Sequence, residues 1–140
     1  MFAGHQDNGY AYIDPQHYLT CWVALTDATV ETGCPWVVPY AHRLGTLSHS
    51  WNATMHGWEV DGLRDFLGSG ADGLPKSSAA ECCEVLAGDI VVFSSLTPHM
   101  TGPQHAEGFV RKAYILQFIA DGAEYISLPN GQPLPAWQFW

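Results

Sequence analysis

Positive charge is what this 140-residue chain has least of: five lysines and arginines stand against fourteen aspartates and glutamates, a formal charge of −9. So few cations argue against nucleic acid and anionic membranes as partners, because both are held by clustered Lys and Arg. They also count against a substrate carrying several phosphates. Long apolar runs are missing as well, so no segment reads as a bilayer-spanning helix. The opening MFAGHQDNGY has neither the basic stretch nor the apolar stretch of a secretory signal, and a soluble, cytoplasmic protein is expected. Without an export signal, the sequon at Asn52 is read as a chance match. Cysteine is scarce. Cys21, Cys34, Cys82 and Cys83 have no zinc-like spacing, and the expectation is reduced thiols rather than disulfides.

What is present is apolar residue at 47%, enough for one small core and one domain over residues 1–140. From Asp14 to Thr26 a turn leads into a strand whose alternation puts Tyr18, Thr20, Trp22 and Ala24 on one face and Leu19, Cys21, Val23 and Leu25 on the other. Trp36 to Val38 reads as a short strand, Glu81 to Leu86 as another, and Ile90 to Ser94 and Lys112 to Ile119 as two more. The stretch from Thr46 to Ser78 is the least regular, with one short helix expected over Val60 to Leu67. A loop of that length in a small domain is usually functional, so substrate selection is expected there. The Pro-rich tail SLPNGQPLPAWQFW is expected to pack as an extended strip. About six strands and little helix indicate an all-β sandwich or jelly roll.

Chemistry is expected around Ala87 to Phe118, where His99 and Arg111 stand at the mouths of two consecutive strands. At the far end of the chain, His5 and Asp7 are two apart, and on an extended backbone such residues project to one side. With His99 they make two imidazoles and one carboxylate. That donor set, with open positions opposite, suits non-haem Fe(II), whereas Zn more often takes four closed ligands. His42, His49, His56 and His105 read as surface or structural histidines, with only His42 near enough to the expected cavity rim to touch substrate.

The joint pattern of His5-x-Asp7, a long interval, His99-x-Thr101 and Arg111 before a strand resembles the phytanoyl-CoA dioxygenase family of Fe(II)/2-oxoglutarate oxygenases. The resemblance covers most of the chain and is weakest from about Thr46 to Glu84. It implies a double-stranded β-helix of the cupin-like, jelly-roll kind. It implies that His5, Asp7 and His99 hold the metal and that Arg111 pairs with the far carboxylate of 2-oxoglutarate. Thr101 supplies a hydroxyl beside it, Trp22 lines the cosubstrate pocket, and Gln6 touches the cosubstrate. The segment ETGCPWVVPYAHRLG is similar to the family's strand ending in Pro-Gly-Ser-His, but Tyr40 and Ala41 stand where Gly-Ser is usual. The implied reaction consumes 2-oxoglutarate and O2, releases succinate and CO2, and hydroxylates a small-molecule substrate.

The family's fold has a helical N-terminal region before the first ligand, and here only four residues precede His5. The expectation is an incomplete fold, with the Leu19, Cys21, Val23 and Leu25 face and one strand edge uncovered. Dimerisation through that edge is the expected way to cover it in a complete product. Two other classes remain open: a cupin-like metal enzyme without 2-oxoglutarate, which would leave Arg111 and Thr101 without a role, and a non-catalytic remnant.

Overall fold

The computed structural model describes residues 4–10, 13–16, 18–54, 56–68 and 70–125. Its strands are β1 (Ile13–Asp14), β2 (Leu19–Ala24), β3 (Pro35–Val37), β4 (His49–Asn52), β5 (Gly57–Val60), β6 (Glu81–Cys82), β7 (Ile90–Ser94), β8 (His99–Thr101), β9 (Ala113–Phe118) and β10 (Glu124–Tyr125), with one helix, α1 (Leu63–Leu67). Two three-stranded antiparallel sheets, ordered β7-β2-β9 and β6-β3-β8, carry the architecture. Because the chain passes from one sheet to the other after β2, β6, β7 and β8, the strands wind as a double-stranded β-helix, a jelly roll.

β2 is central, and its burial alternates as the sequence does: Thr20, Trp22 and Ala24 are buried, while Leu19 is exposed and Cys21 and Val23 are half-buried. The buried face meets the second sheet, with Trp22 and Ala24 packing with Cys34, Trp36, Val91, Phe93 and Ala113. That inner layer is where the site lies. On the outer face Leu19, Leu25, Ile90, Val92, Tyr114 and Phe118 are each between 51% and 56% exposed, and β9 pairs only with β2 among the described residues. Among the described residues this outer face is thus apolar and about half exposed.

Gly33 joins β2 to β3 at φ +85°, and a Cβ there would stand 2.8 Å from the Gly102 carbonyl oxygen, so only glycine fits. Between β3 and β6 the structure departs from the expected loop. β4 and β5 pair antiparallel, and Trp51 opposes Trp58 edge to face at 5.9 Å. Val60 closes β5 instead of opening the helix, because Gly62 at φ +73° breaks the chain before Leu63. Leu63 and Leu67, four apart on α1, share a second apolar cluster with Val60 and Ala80, backed by Trp36 and Met100. The strand expected over Glu81–Leu86 ends at Cys82, followed by a single bridge from Val85 to Ala28. The β1–β10 pair was not expected from the sequence. The Pro-rich tail lies outside the described residues, and no described helix is long and apolar enough to cross a membrane.

Candidate metal centre

His5 and His99 are brought together by the backbone. Each donates its N–H to the other's carbonyl at 2.9 Å, a directly opposed antiparallel pair whose side chains leave the same face, and the ring centroids are 4.4 Å apart. Asp7, two residues after His5, returns to that face at the start of a short 3-10 turn, Asp7–Gly9. Its Oδ1 lies 3.4 Å from His5 Nε2 and 3.5 Å from His99 Nε2, and the three ligand atoms all fall within 4.8 Å of one another. Donors each about 2.1 Å from one ion are roughly 3 Å apart at a right angle, so this spacing fits a shared cation with little adjustment.

The protonation pattern agrees with ligation. His99 Nδ1 faces the Thr97 carbonyl at 2.9 Å and must donate there, which leaves the Nε2 lone pair turned toward Asp7. Burial, reinforced by the nearby His5, pulls the His99 pKa down to about 4 against the pull of Asp7. The 3.5 Å contact turns His99 Nε2 and Asp7 Oδ1 toward one position, as two ligands of a shared cation would be turned. Burial opposes charge on Asp7 too, but the hydrogen bond with His5, the proximity of His99 and His5, and the Thr20 hydroxyl outweigh it and hold the carboxyl well below its usual range. Phe93 lies against the His99 ring at 4.5 Å, and Tyr10 meets the His5 ring edge-on at 5.0 Å, closing both flanks with aromatic surface.

Arg111 enters from just before β9, half-buried, with its guanidinium carbon 5.5 Å from the ring centre of buried Trp22. Its Nη1 is buried and has no hydrogen-bond partner among the described residues. A buried cationic donor left without an acceptor is costly, and a bound carboxylate is the group whose geometry matches it. Burial depresses its pKa without discharging it. Thr101 shares the His99 side of β8, half-buried and opposite Pro35. The donor set and the Arg111 Nη1 left without a partner among the described residues together fit Fe(II) and a dicarboxylate cosubstrate.

Gln6 is placed differently from what the resemblance implied. Fully buried, it donates both amide hydrogens, to Gly45 O at 2.9 Å and Leu96 O at 2.6 Å, and its Oε1 accepts from Leu47 N at 2.8 Å. Those three backbone partners occupy its polar atoms, and it serves to tie loops together. His42 is exposed on a 3-10 turn, Ala41–Leu44.

Sequence reasoning passed over Thr20. Thr20 was legible only as an inward-facing polar residue in an apolar strand; in the structure its Oγ1 donates to Asp7 Oδ2. Such outer-shell partners orient ligands, so Thr20→Val is expected to weaken Fe(II) binding about tenfold in an anaerobic titration. Unchanged affinity would mean that the carboxylate is aligned without it.

Comparison with known proteins bears on the family and the fold. The family model "Phytanoyl-CoA dioxygenase (PhyH)" matches residues 2–113. The chain is similar to the phytanoyl-CoA dioxygenase domain-containing protein 1 of Bos taurus, 32% identical over 139 residues that make up 98% of this chain and 46% of that protein. Among solved structures it is similar to EvdO2 from Micromonospora carbonacea var. aurantiaca complexed with 2-oxoglutarate, at 27% identity and a TM-score of 0.67, over 99% of this chain and 51% of that one. It also resembles the non-heme monooxygenase ThoJ, at 25% identity and a TM-score of 0.68, over 89% of this chain and 42% of that one. The chain thus spans about half the length of these relatives. With the matched family model running through His5, Asp7, His99 and Arg111, the chain belongs to the phytanoyl-CoA dioxygenase family.

Proposed function

We propose that this chain carries the catalytic centre of an Fe(II)/2-oxoglutarate-dependent oxygenase that hydroxylates an unactivated C–H bond of a small metabolite. The observation that carries this reading is the convergence of His5, Asp7 and His99, whose ligand atoms lie within 4.8 Å of one another, brought together by the bridge between His5 and His99. Bound there, iron with 2-oxoglutarate and O2 supplies the oxidising chemistry and yields succinate and CO2. The chain's own residues hold and orient. His5, Asp7 and His99 hold the metal, and Thr20 fixes the carboxylate's rotation. Arg111 receives the far carboxylate of the cosubstrate, Thr101 adds a hydroxyl, and Trp22 beneath the guanidinium keeps it aimed. Phe93 and Trp22 exclude water. Because Asp7 fills the carboxylate position, hydroxylation is favoured over halogenation, which needs that position free for halide.

The substrate is read as neutral or weakly charged. Outside Arg111 the cations are Arg43, Arg64, Lys76 and Lys112, and of these Arg64 is tied to Glu59 at 3.2 Å and Arg43 lies over the Tyr40 ring. Little positive charge is left to meet the phosphates of an acyl-CoA.

Adding 2-oxoglutarate to the anaerobic Fe(II)-loaded chain should produce a visible metal-to-ligand charge-transfer band, and admitting air should bleach it and release succinate. A folded, iron-loaded chain that gives neither would rule out the oxygenase reading for these residues.

A further inference from the structure

The back of the ligand loop is held as closely as its front. His5 and Asp7 face the metal position, so the alternate residues Gln6 and Asn8 face away, and both are met by one short segment, Gly45 to His49. Gly45 O and Leu47 N bind the Gln6 side chain, Thr46 Oγ1 accepts from Asn8 Nδ2 at 2.6 Å, and His49 Nε2 accepts the Gln6 backbone N–H at 3.2 Å. On the other side of the same residue, the Gln6 carbonyl accepts from the Gly9 N–H at 3.0 Å. His49 is fixed for that task, because its Nδ1 faces the Leu47 carbonyl at 2.8 Å and must donate, leaving Nε2 as the acceptor. Burial lowers its pKa and favours this neutral form. The ring also lies flat against Gly9, where a Cβ would stand 2.5 Å from His49 Nε2, so the loop approaches the imidazole as closely as a glycine allows.

We propose that His49 is a positioning residue for the metal centre, setting the register of the His5–Gln6–Asp7 backbone from behind through its bond to the Gln6 N–H. The proposal rests on the metal reading of His5, Asp7 and His99. It goes beyond it by assigning a function to a histidine that contacts no metal. Since His49 is also the first residue of β4, the same ring fixes where the β4–β5 hairpin begins relative to the ligands.

Co(II) titration of the metal-free chain tests this, since cobalt's visible bands report coordination geometry as well as affinity. His49→Ala should weaken Co(II) binding about tenfold and alter the band pattern, the size of effect expected when a ligand's support is removed. His49→Gln, whose amide oxygen can accept from the Gln6 N–H, should restore wild-type bands and most of the affinity. Gly9→Ala, which pushes the ring away, should reproduce the His49→Ala loss, and the double variant should lose no more than either single one. Wild-type bands and affinity in His49→Ala, or losses that add in the double variant, would overturn the proposal. If His49→Ala does not fold, Gly9→Ala and His49→Gln still decide it by the same bands. A wild-type chain that takes up no Co(II) would instead bring down the metal reading itself, and this proposal with it.

Discussion

Replacing Asp7 or His99 by alanine should abolish measurable Fe(II) binding. Each removal leaves two donors where three converge, and the loss should exceed the roughly 10- to 100-fold that deletion of an outer-shell partner produces. The two variants should differ in their second effect. Asp7→Ala removes the only carboxylate in the cluster and leaves the Thr20 hydroxyl without its acceptor, whereas His99→Ala also opens a gap beside Phe93. Metal content after anaerobic reconstitution, read with a circular dichroism spectrum to establish folding, separates loss of the site from loss of the fold. A folded Asp7→Ala chain that retains stoichiometric iron would show that the metal, if held, is held elsewhere.

How much of this was open to inspection in the sequence depends on the range of the interaction that fixes each part. The inner and outer faces of β2 were readable from period-two alternation alone, and Ile90–Ser94 appears as expected because an apolar, β-branched run behind a Gly-Asp turn has few alternatives. The donors were readable as a spacing: His5 and Asp7 share parity. Their meeting with His99 was expected only through the joint pattern and the family resemblance it carries, because the backbone pairing that brings them together spans some ninety residues and no local pattern encodes it. The β4–β5 hairpin was missed for a related reason. Its strands, HSWN and GWEV, are short and mix polar with aromatic residues, and they are held by the Tyr10 hydroxyl on the Trp58 backbone and by Gly4 O on Val60 N rather than by their own propensity. Gln6 illustrates the opposite error. Its place between two ligands suggested contact with the cosubstrate, yet parity alone sends it to the other side of the backbone, where it binds Gly45, Leu47 and Leu96.

Arg111→Ala should raise the 2-oxoglutarate concentration needed for half-maximal charge-transfer absorbance by about 100-fold. Two charge-assisted hydrogen bonds to a carboxylate contribute about 3 kcal/mol over the water they displace, and 1.4 kcal/mol corresponds to a factor of ten. The guanidinium is half-buried against Trp22 with Nη1 unpartnered, so water competes poorly and removing the side chain leaves the incoming carboxylate without a counter-charge. Lysine should recover only part of the loss. It keeps the charge, but it gives up the planar fork and the stacking on the Trp22 indole. Fe(II) affinity without 2-oxoglutarate should be the same in all three proteins, since Arg111 makes no contact with His5, Asp7 or His99 among its described interactions. That pairing of results is what gives the test its force: a requirement for 2-oxoglutarate that does not move would remove Arg111 as the anchor, while a fall in iron affinity would mean that the substitution had disturbed the inner layer around Trp22 instead.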